Sequence, residues 1–68
     1  MTIELNGEPT ELAEDATVRD AAARAGVDGE VRGVAVALDG EVVPRDAWGE
    51  TRLRDGQSVE VVAAIQGG

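Results

Sequence analysis

Ser58-Val59-Glu60-Val61-Val62-Ala63-Ala64-Ile65-Gln66-Gly67-Gly68 is the stretch whose reading decides the fold. From Val59 to Ile65 every residue but Glu60 is apolar. Such a run reads as a β-strand in the interior of a sheet. Val59, Val61, Ala63 and Ile65 fall on one face of it, Val62 and Ala64 on the other. Gln66, Gly67 and Gly68 project past the strand, a reach of about 10 Å at roughly 3.3–3.6 Å per residue. An ordered strand that ends in two bare glycines and a carboxylate has the form of a presented reactive end.

Working back from this strand, Asp55-Gly56 is the turn that feeds it, and Thr51-Arg52-Leu53 is a short bridging strand. Arg45 to Gly49 reads as a turn or one turn of helix. Glu41-Val42-Val43 is a strand stopped by Pro44, because proline has no N–H for a ladder. Asp39-Gly40 joins it to the β-rich run Gly33 to Leu38 as a two-residue hairpin. Thr2-Ile3-Glu4-Leu5 alternates polar and apolar, with Ile3 and Leu5 inward. Asn6-Gly7 suits the positive φ angles of a type I′ turn. Glu8 to Leu12 returns beside the first strand, and Pro9 marks that strand as an edge or as irregular.

Between the hairpins lies one helix. Thr17 is its N-cap, with Asp20 three residues on in place of the usual glutamate of a capping box. Val18, Ala21, Ala22 and Ala25 form a single apolar stripe at helical spacing. Gly26 ends the helix, and a loop over 27–32 follows. Hairpin, helix, hairpin, short excursion and final strand make an α+β chain. With the last strand central beside the first, it is a β-grasp, ubiquitin-like fold: a mixed sheet of four to five strands with the helix on one face. Residues 1–68 form one domain whose tail is 66–68.

Composition narrows the chemistry. The chain carries 14 acids against 6 bases, a net charge of −8, which repels phosphate backbones and favours a basic protein surface. All of the bases are arginine. Histidine, cysteine and tyrosine are absent, so the common general bases, nucleophiles and soft metal ligands are missing. A chain this short cannot enclose a deep pocket as well as a core. The expectation is a non-enzyme with no bound metal and no catalytic side chain. No apolar run reaches the length of a membrane span and no leader is visible, so the expected location is cytoplasmic.

Several residues carry two readings. Trp48, the one aromatic, is either a packing plug or an interface anchor. Arg45 is either a solvated strand-end charge or a partner contact. Val62 and Ala64 are either exposed beside the tail, where they suit docking, or buried between two faces. Glu14 and Asp15 lack convergent partners and read as a solvated loop.

The pieces that carry a resemblance are spread along the whole chain. They are Asn6-Gly7, Thr17-Val18-Arg19-Asp20, Val34-Ala35-Val36-Ala37-Leu38, Val43-Pro44-Arg45-Asp46-Ala47-Trp48, Asp55-Gly56 and Gly67-Gly68. Together they resemble the ThiS family of sulfur carriers in thiamine biosynthesis. The resemblance implies that a ThiF-type enzyme adenylates the Gly68 carboxylate with ATP and magnesium. Sulfur from a cysteine desulfurase then converts it to a thiocarboxylate, which serves a ThiG-type thiazole synthase. Gly67 and Gln66 would thread into the partner, and Val62, Ala64, Arg45 and Trp48 would flank the contact. The free carrier is expected to be a monomer. Alternatives keep the Gly68 chemistry but change the recipient: the small subunit of molybdopterin synthase, a carrier for cysteine or natural-product sulfur, or a ubiquitin-like modifier.

Overall fold

A computed structural model describes residues 1–27 and 33–63 of the chain. The elements in order are β1 (Thr2–Leu5), β2 (Glu8–Glu11), α1 (Val18–Arg24), β3 (Val34–Leu38), β4 (Glu41–Val43), a 3-10 helix (Arg45–Glu50) and β5 (Ser58–Ala63). The strands form one sheet in the order β2-β1-β5-β3-β4. β1 and β5 run parallel, and the other neighbours are antiparallel. This is the β-grasp arrangement, with β5 at its centre.

Local sequence explains each piece. Asn6 and Gly7 have φ of 51° and 85°, and Asp39 and Gly40 have 49° and 89°. Both hairpins therefore use the left-handed turn that asparagine, aspartate and glycine tolerate best. Pro9 pairs with Glu4 in the edge strand β2. The Leu5–Glu8 pair closes a two-residue turn, so Pro9, one residue on, directs its missing donor away from the sheet. Proline therefore deprives the ladder of nothing there.

The Asp20 carboxylate accepts the Thr17 N–H at 2.8 Å, the reach-back half of a capping box. Gly26, with φ of 95°, ends α1. The helix is 7 residues long, shorter than its apolar stripe, and Ala25 at the end of that stripe is exposed. Val18, Ala21 and Ala22 make the buried face. A helix this short is held by packing rather than by its own propensity.

The core comprises Ile3, Leu5, Ala16, Val18, Ala21, Ala22, Val36, Trp48, Leu53 and Val59. It lies between α1, the 3-10 helix and one sheet face. Burying Ile3, Val18, Val36 and Val59 completely contributes on the order of 1.5–3 kcal/mol each. Thr17 and Arg52 form an isolated bridge, extended by Val18 N to Thr51 O and Leu53 N to Ala16 O, both 2.9 Å. The excursion before β5 is thereby tied to the start of α1.

The helix and core cover only one side of the final strand, which decides between the two readings of Val62. Val59 is buried, while Glu60 and Val62 face outward and are exposed. A single helix is enough to cover only one face of a sheet this size.

Candidate functional site

The candidate site is the end of the chain, and the structure describes what holds β5, the strand that precedes it. Three elements converge on β5. β3 pairs with it over its full described length, from Leu38 opposite Val59 to Val34 opposite Ala63. β1 pairs beside its start, at Glu4↔Ser58 and Leu5↔Val59. The turn before it is fastened to β1: Thr2 N donates to Asp55 Oδ1 at 2.7 Å, and Gly56 N donates to Thr2 O at 2.8 Å.

Side chains from both hairpin turns add to this. Asp39 Oδ1 accepts Ser58 N at 2.9 Å, and Asp39 Oδ2 accepts Gln57 Nε2 at 3.0 Å. Gln57 Oε1 in turn accepts Arg54 N at 2.7 Å. Asn6 Oδ1 accepts Val61 N at 2.8 Å. β5 is thus gripped by a turn on each flank.

The outer sheet face is the second part of the site. Cross-strand partners share a face, so Val62 lies with Ala35, and Glu60 with Ala37 and Val42. Val42 is 72% exposed and Val62 61%. These valines and alanines make a small apolar strip beside the strand that leads to the tail. Glu4, on the same face, pairs with Pro9 and Ser58 and extends the surface toward β1 with acid. An apolar strip bordered by Glu4 and Glu60 complements a partner surface with an apolar centre and basic rim.

The predicted site residues separate accordingly. Val62 is on the surface as one of its two readings had it. Ala64, Gln66, Gly67 and Gly68 lie outside the described residues. Trp48 is corrected: at 3% exposure it is a core residue, its Nε1 donating to Val43 O at 2.9 Å, and it has no surface to offer a partner. Its size decides this, because a core built of valine, alanine and leucine has room for one large ring. Arg45 is half-buried, with its guanidinium 5.0 Å from the centre of the Trp48 ring. It is therefore engaged within the fold rather than simply solvated.

Sequence reasoning missed Val42 as a surface residue, and missed the side-chain roles of Asn6 and Asp39. Alternation along Glu41-Val42-Val43 marks Val42 as opposite in face to its neighbours. Nothing local tells which strand will lie beside a turn, so the grips on Ser58 and Val61 had no sequence signal. Glu14 is exposed, as its reading as a solvated loop residue had it, and it also holds an ion pair. Its Oε2 pairs with the Met1 ammonium at 2.9 Å, and that ammonium also donates to Leu12 O at 2.8 Å. The hydrogen bond from Glu14 raises the amine's pKa above its ordinary value, against the opposing effect of burial.

No cluster of three or more acidic, histidine or cysteine side chains placed to hold a metal ion occurs among the described residues. An open cleft of about 590 Å³ between the β1–β2 hairpin and the end of α1 presents Glu8, Glu11 and Arg24. It holds no cysteine, histidine or lysine. Among the described residues no helix is long and apolar enough to cross a membrane.

The sequence model of the ThiS family matches residues 3–68. The chain is 45% identical over 64 residues to the sulfur carrier protein ThiS of Thermus thermophilus, covering 94% of this chain and 95% of that one. It is 35% identical over 68 residues to a thiazole synthase of Paramagnetospirillum magneticum, all of this chain but only 20% of that protein's length. In structure it resembles the crystal structure of a thiamine biosynthesis protein, ThiS, from Geobacter metallireducens. That TM-score is 0.78 at 33% identity, and each chain is covered completely. A solution structure of a thiamine biosynthesis protein from the same organism gives 0.77 at 33% identity, over all of this chain and 88% of that one.

Proposed function

Because the chain belongs to the ThiS family, we propose that it is a sulfur carrier whose working group is the Gly68 carboxylate. The observation that carries this reading is the family match itself, which runs to residue 68 and so includes the Gly67-Gly68 pair. The grip on β5 supports it, since an anchored strand lowers the ordering cost when the residues beyond it enter a partner.

The chemistry follows from what a carboxylate can and cannot do. Ionised at neutral pH, it is a poor electrophile and must first be activated. A ThiF-type partner would use ATP and magnesium to join the Gly68 carboxylate to AMP, releasing pyrophosphate. A persulfide supplied through a cysteine desulfurase then attacks the acyl carbon, and AMP leaves. Cleavage of the resulting S–S bond by a second thiol leaves a thiocarboxylate on Gly68. Gly67 has no Cβ to clash with a narrow channel, and Gln66 precedes it in the threaded tail. The carrier needs no nucleophile of its own, in keeping with a sequence that has no cysteine, histidine, tyrosine or lysine.

The recipient of choice is a ThiG-type thiazole synthase, which would use the sulfur to build the thiazole of thiamine. The support is that all of this chain matches one-fifth of a protein named thiazole synthase. Val62 and Val42, with Ala64 continuing the same alternation in sequence, would meet the partners through the apolar strip. The setting is cytoplasmic, and the free carrier is a monomer.

Intact-mass measurement tests the reading. Chain incubated with a ThiF-type enzyme, ATP, magnesium and a persulfide donor should gain the mass of one oxygen replaced by sulfur, located at Gly68 by fragmentation. Persistent absence of that shift with all components active sinks the proposal.

A further inference from the structure

β5 outruns its neighbour. β1 pairs with it only at Glu4↔Ser58 and Leu5↔Val59, then turns away at Asn6-Gly7, whereas β5 continues to Ala63. On the other flank β3 stays paired to the end, with Val34 opposite Ala63. The hydrogen bonds say which main-chain groups are left over. Asn6 N donates to Val59 O, and Val61 N donates to Asn6 Oδ1. Val59 and Val61 therefore turn their main-chain groups toward β1. Asp39 N donates to Ser58 O, so the alternate residues turn toward β3. By the two-residue period of a strand, Ala63 aims its N–H and C=O at the side that β1 has vacated, as does the Val61 carbonyl. Among the described residues no strand pairs with them there.

The other open edges of the sheet are blunted. β2 presents Pro9, which has no N–H to offer on its outer side. β4 is only 3 residues long and is followed by Pro44. Short edges and prolines are the usual protection against unwanted strand pairing. The vacated flank of β5 has neither, and it lies where the chain leaves for Gly68.

We infer that this flank takes an extended main-chain segment of the enzyme that activates Gly68, added as a strand beside Val61 and Ala63. The inference rests on the reading of Gly68 as the reacting group. Chain length narrows the occupant to a protein whose site takes in Gly68, and the activating enzyme is the one that must do so first. Gly68 lies five positions after Ala63, a reach of at most about 18 Å. A protein whose site holds Gly68 must bring its own surface within that distance of the vacated flank. Strand addition there uses main-chain bonds, which supply affinity with little regard to side chains. It would also hold the path toward Gly68 extended before the carboxylate reaches ATP.

Amide exchange followed by NMR tests this, with the chain alone and with a ThiF-type enzyme added. Ala63 should exchange quickly in the free chain and at least about tenfold more slowly when the enzyme is bound, as an amide joined to a new strand does. Equal exchange at Ala63 in the two samples overturns the inference. Slow exchange that depends on the concentration of the chain alone also overturns it, because a second copy would then occupy the flank. Ala63→Pro is the second arm. It removes an N–H that points away from β3, so the circular dichroism spectrum should stay that of the folded chain. KM for thiocarboxylate formation should rise roughly five- to tenfold, the effect of one lost hydrogen bond with its partner left unmade. An unchanged KM in the folded variant counts against strand addition. Failure of the Gly68 reading looks different, since the unaltered chain would then acquire no sulfur at all.

Discussion

Asn6 Oδ1 accepts the N–H of Val61 at 2.8 Å, so a turn side chain takes over where the main chain of β1 stops. The same residue has φ of 51° and its own N–H bonded to Val59 O at 2.8 Å. One asparagine therefore closes the first hairpin and marks the end of pairing between β1 and β5. Asn6→Gly keeps the turn's backbone but removes the acceptor. It should lower unfolding stability by about 1 kcal/mol in urea titrations and speed amide exchange at Val61. Asn6→Asp, which retains an oxygen there, should leave Val61 protected.

Trp48 is expected to matter to the fold, not to a partner. Trp48→Ala should cost on the order of 3–5 kcal/mol. A domain of this size has a total of roughly 3–10 kcal/mol, so the variant should be largely unfolded by circular dichroism. Trp48→Phe keeps most of the ring packing and loses the bond to Val43 O. Its expected cost is about 1–2 kcal/mol, read as a lower thermal midpoint. A fully stable Trp48→Ala variant would contradict the burial of this ring.

The outer strip should behave in the opposite way. Val42→Asp and Val62→Asp alter side chains that are 72% and 61% exposed, so each should change stability by no more than about 0.5–1 kcal/mol. Thiocarboxylate formation by a ThiF-type enzyme should slow through KM, by roughly tenfold or more at subsaturating carrier, a loss of about 1.4 kcal/mol in binding. Undiminished turnover would remove the strip from the interface.

The pH dependence above neutrality is unusually clean. With no histidine, cysteine, tyrosine or lysine in the 68-residue chain, the Met1 amine is the group that titrates between neutrality and the range of arginine. Its pKa is raised in the fold, first by the hydrogen bond to Glu14. A group raised on folding contributes stability in full below its unfolded pKa, near 8.0. That contribution is lost as pH rises through the higher folded value. Urea midpoints should therefore be flat from pH 6 to 7 and fall above about pH 8. Glu14→Gln should flatten the fall.

Adding one residue after Gly68 should leave the circular dichroism spectrum and thermal midpoint unchanged, because the fold's described contacts end at β5. The same addition should abolish sulfur loading, since the carboxylate would then sit one residue away from the group the partner activates. Full loading of the extended chain would place the chemistry elsewhere.

Much of this protein is legible in local sequence. Asn6-Gly7 and Asp39-Gly40 specify their turns because few other pairs adopt two positive φ angles in succession. Pro9 specifies an edge because it lacks a donor. Thr17 and Asp20 mark the start of α1, because the Asp20 carboxylate reaches back to accept both the N–H and the hydroxyl of Thr17. These signals act over two to four residues, and the order of elements follows from them. The absence of cysteine, histidine, tyrosine and lysine is likewise a property of composition and points the chemistry to the chain's end.

Tertiary structure decided what depends on which strands become neighbours. Val61 and Asn6 are far apart in sequence, and only the placement of β5 beside β1 lets the asparagine side chain replace a strand. The burial of Trp48 and the exposure of Val42 and Val62 were settled in the same way, by which sheet face α1 and the 3-10 helix could cover. Local sequence prescribes backbone angles and the alternation of faces. Which face is wet, and which edge is left unpaired, is a matter of how much surface one short helix can cover and how far each strand outlasts its neighbour.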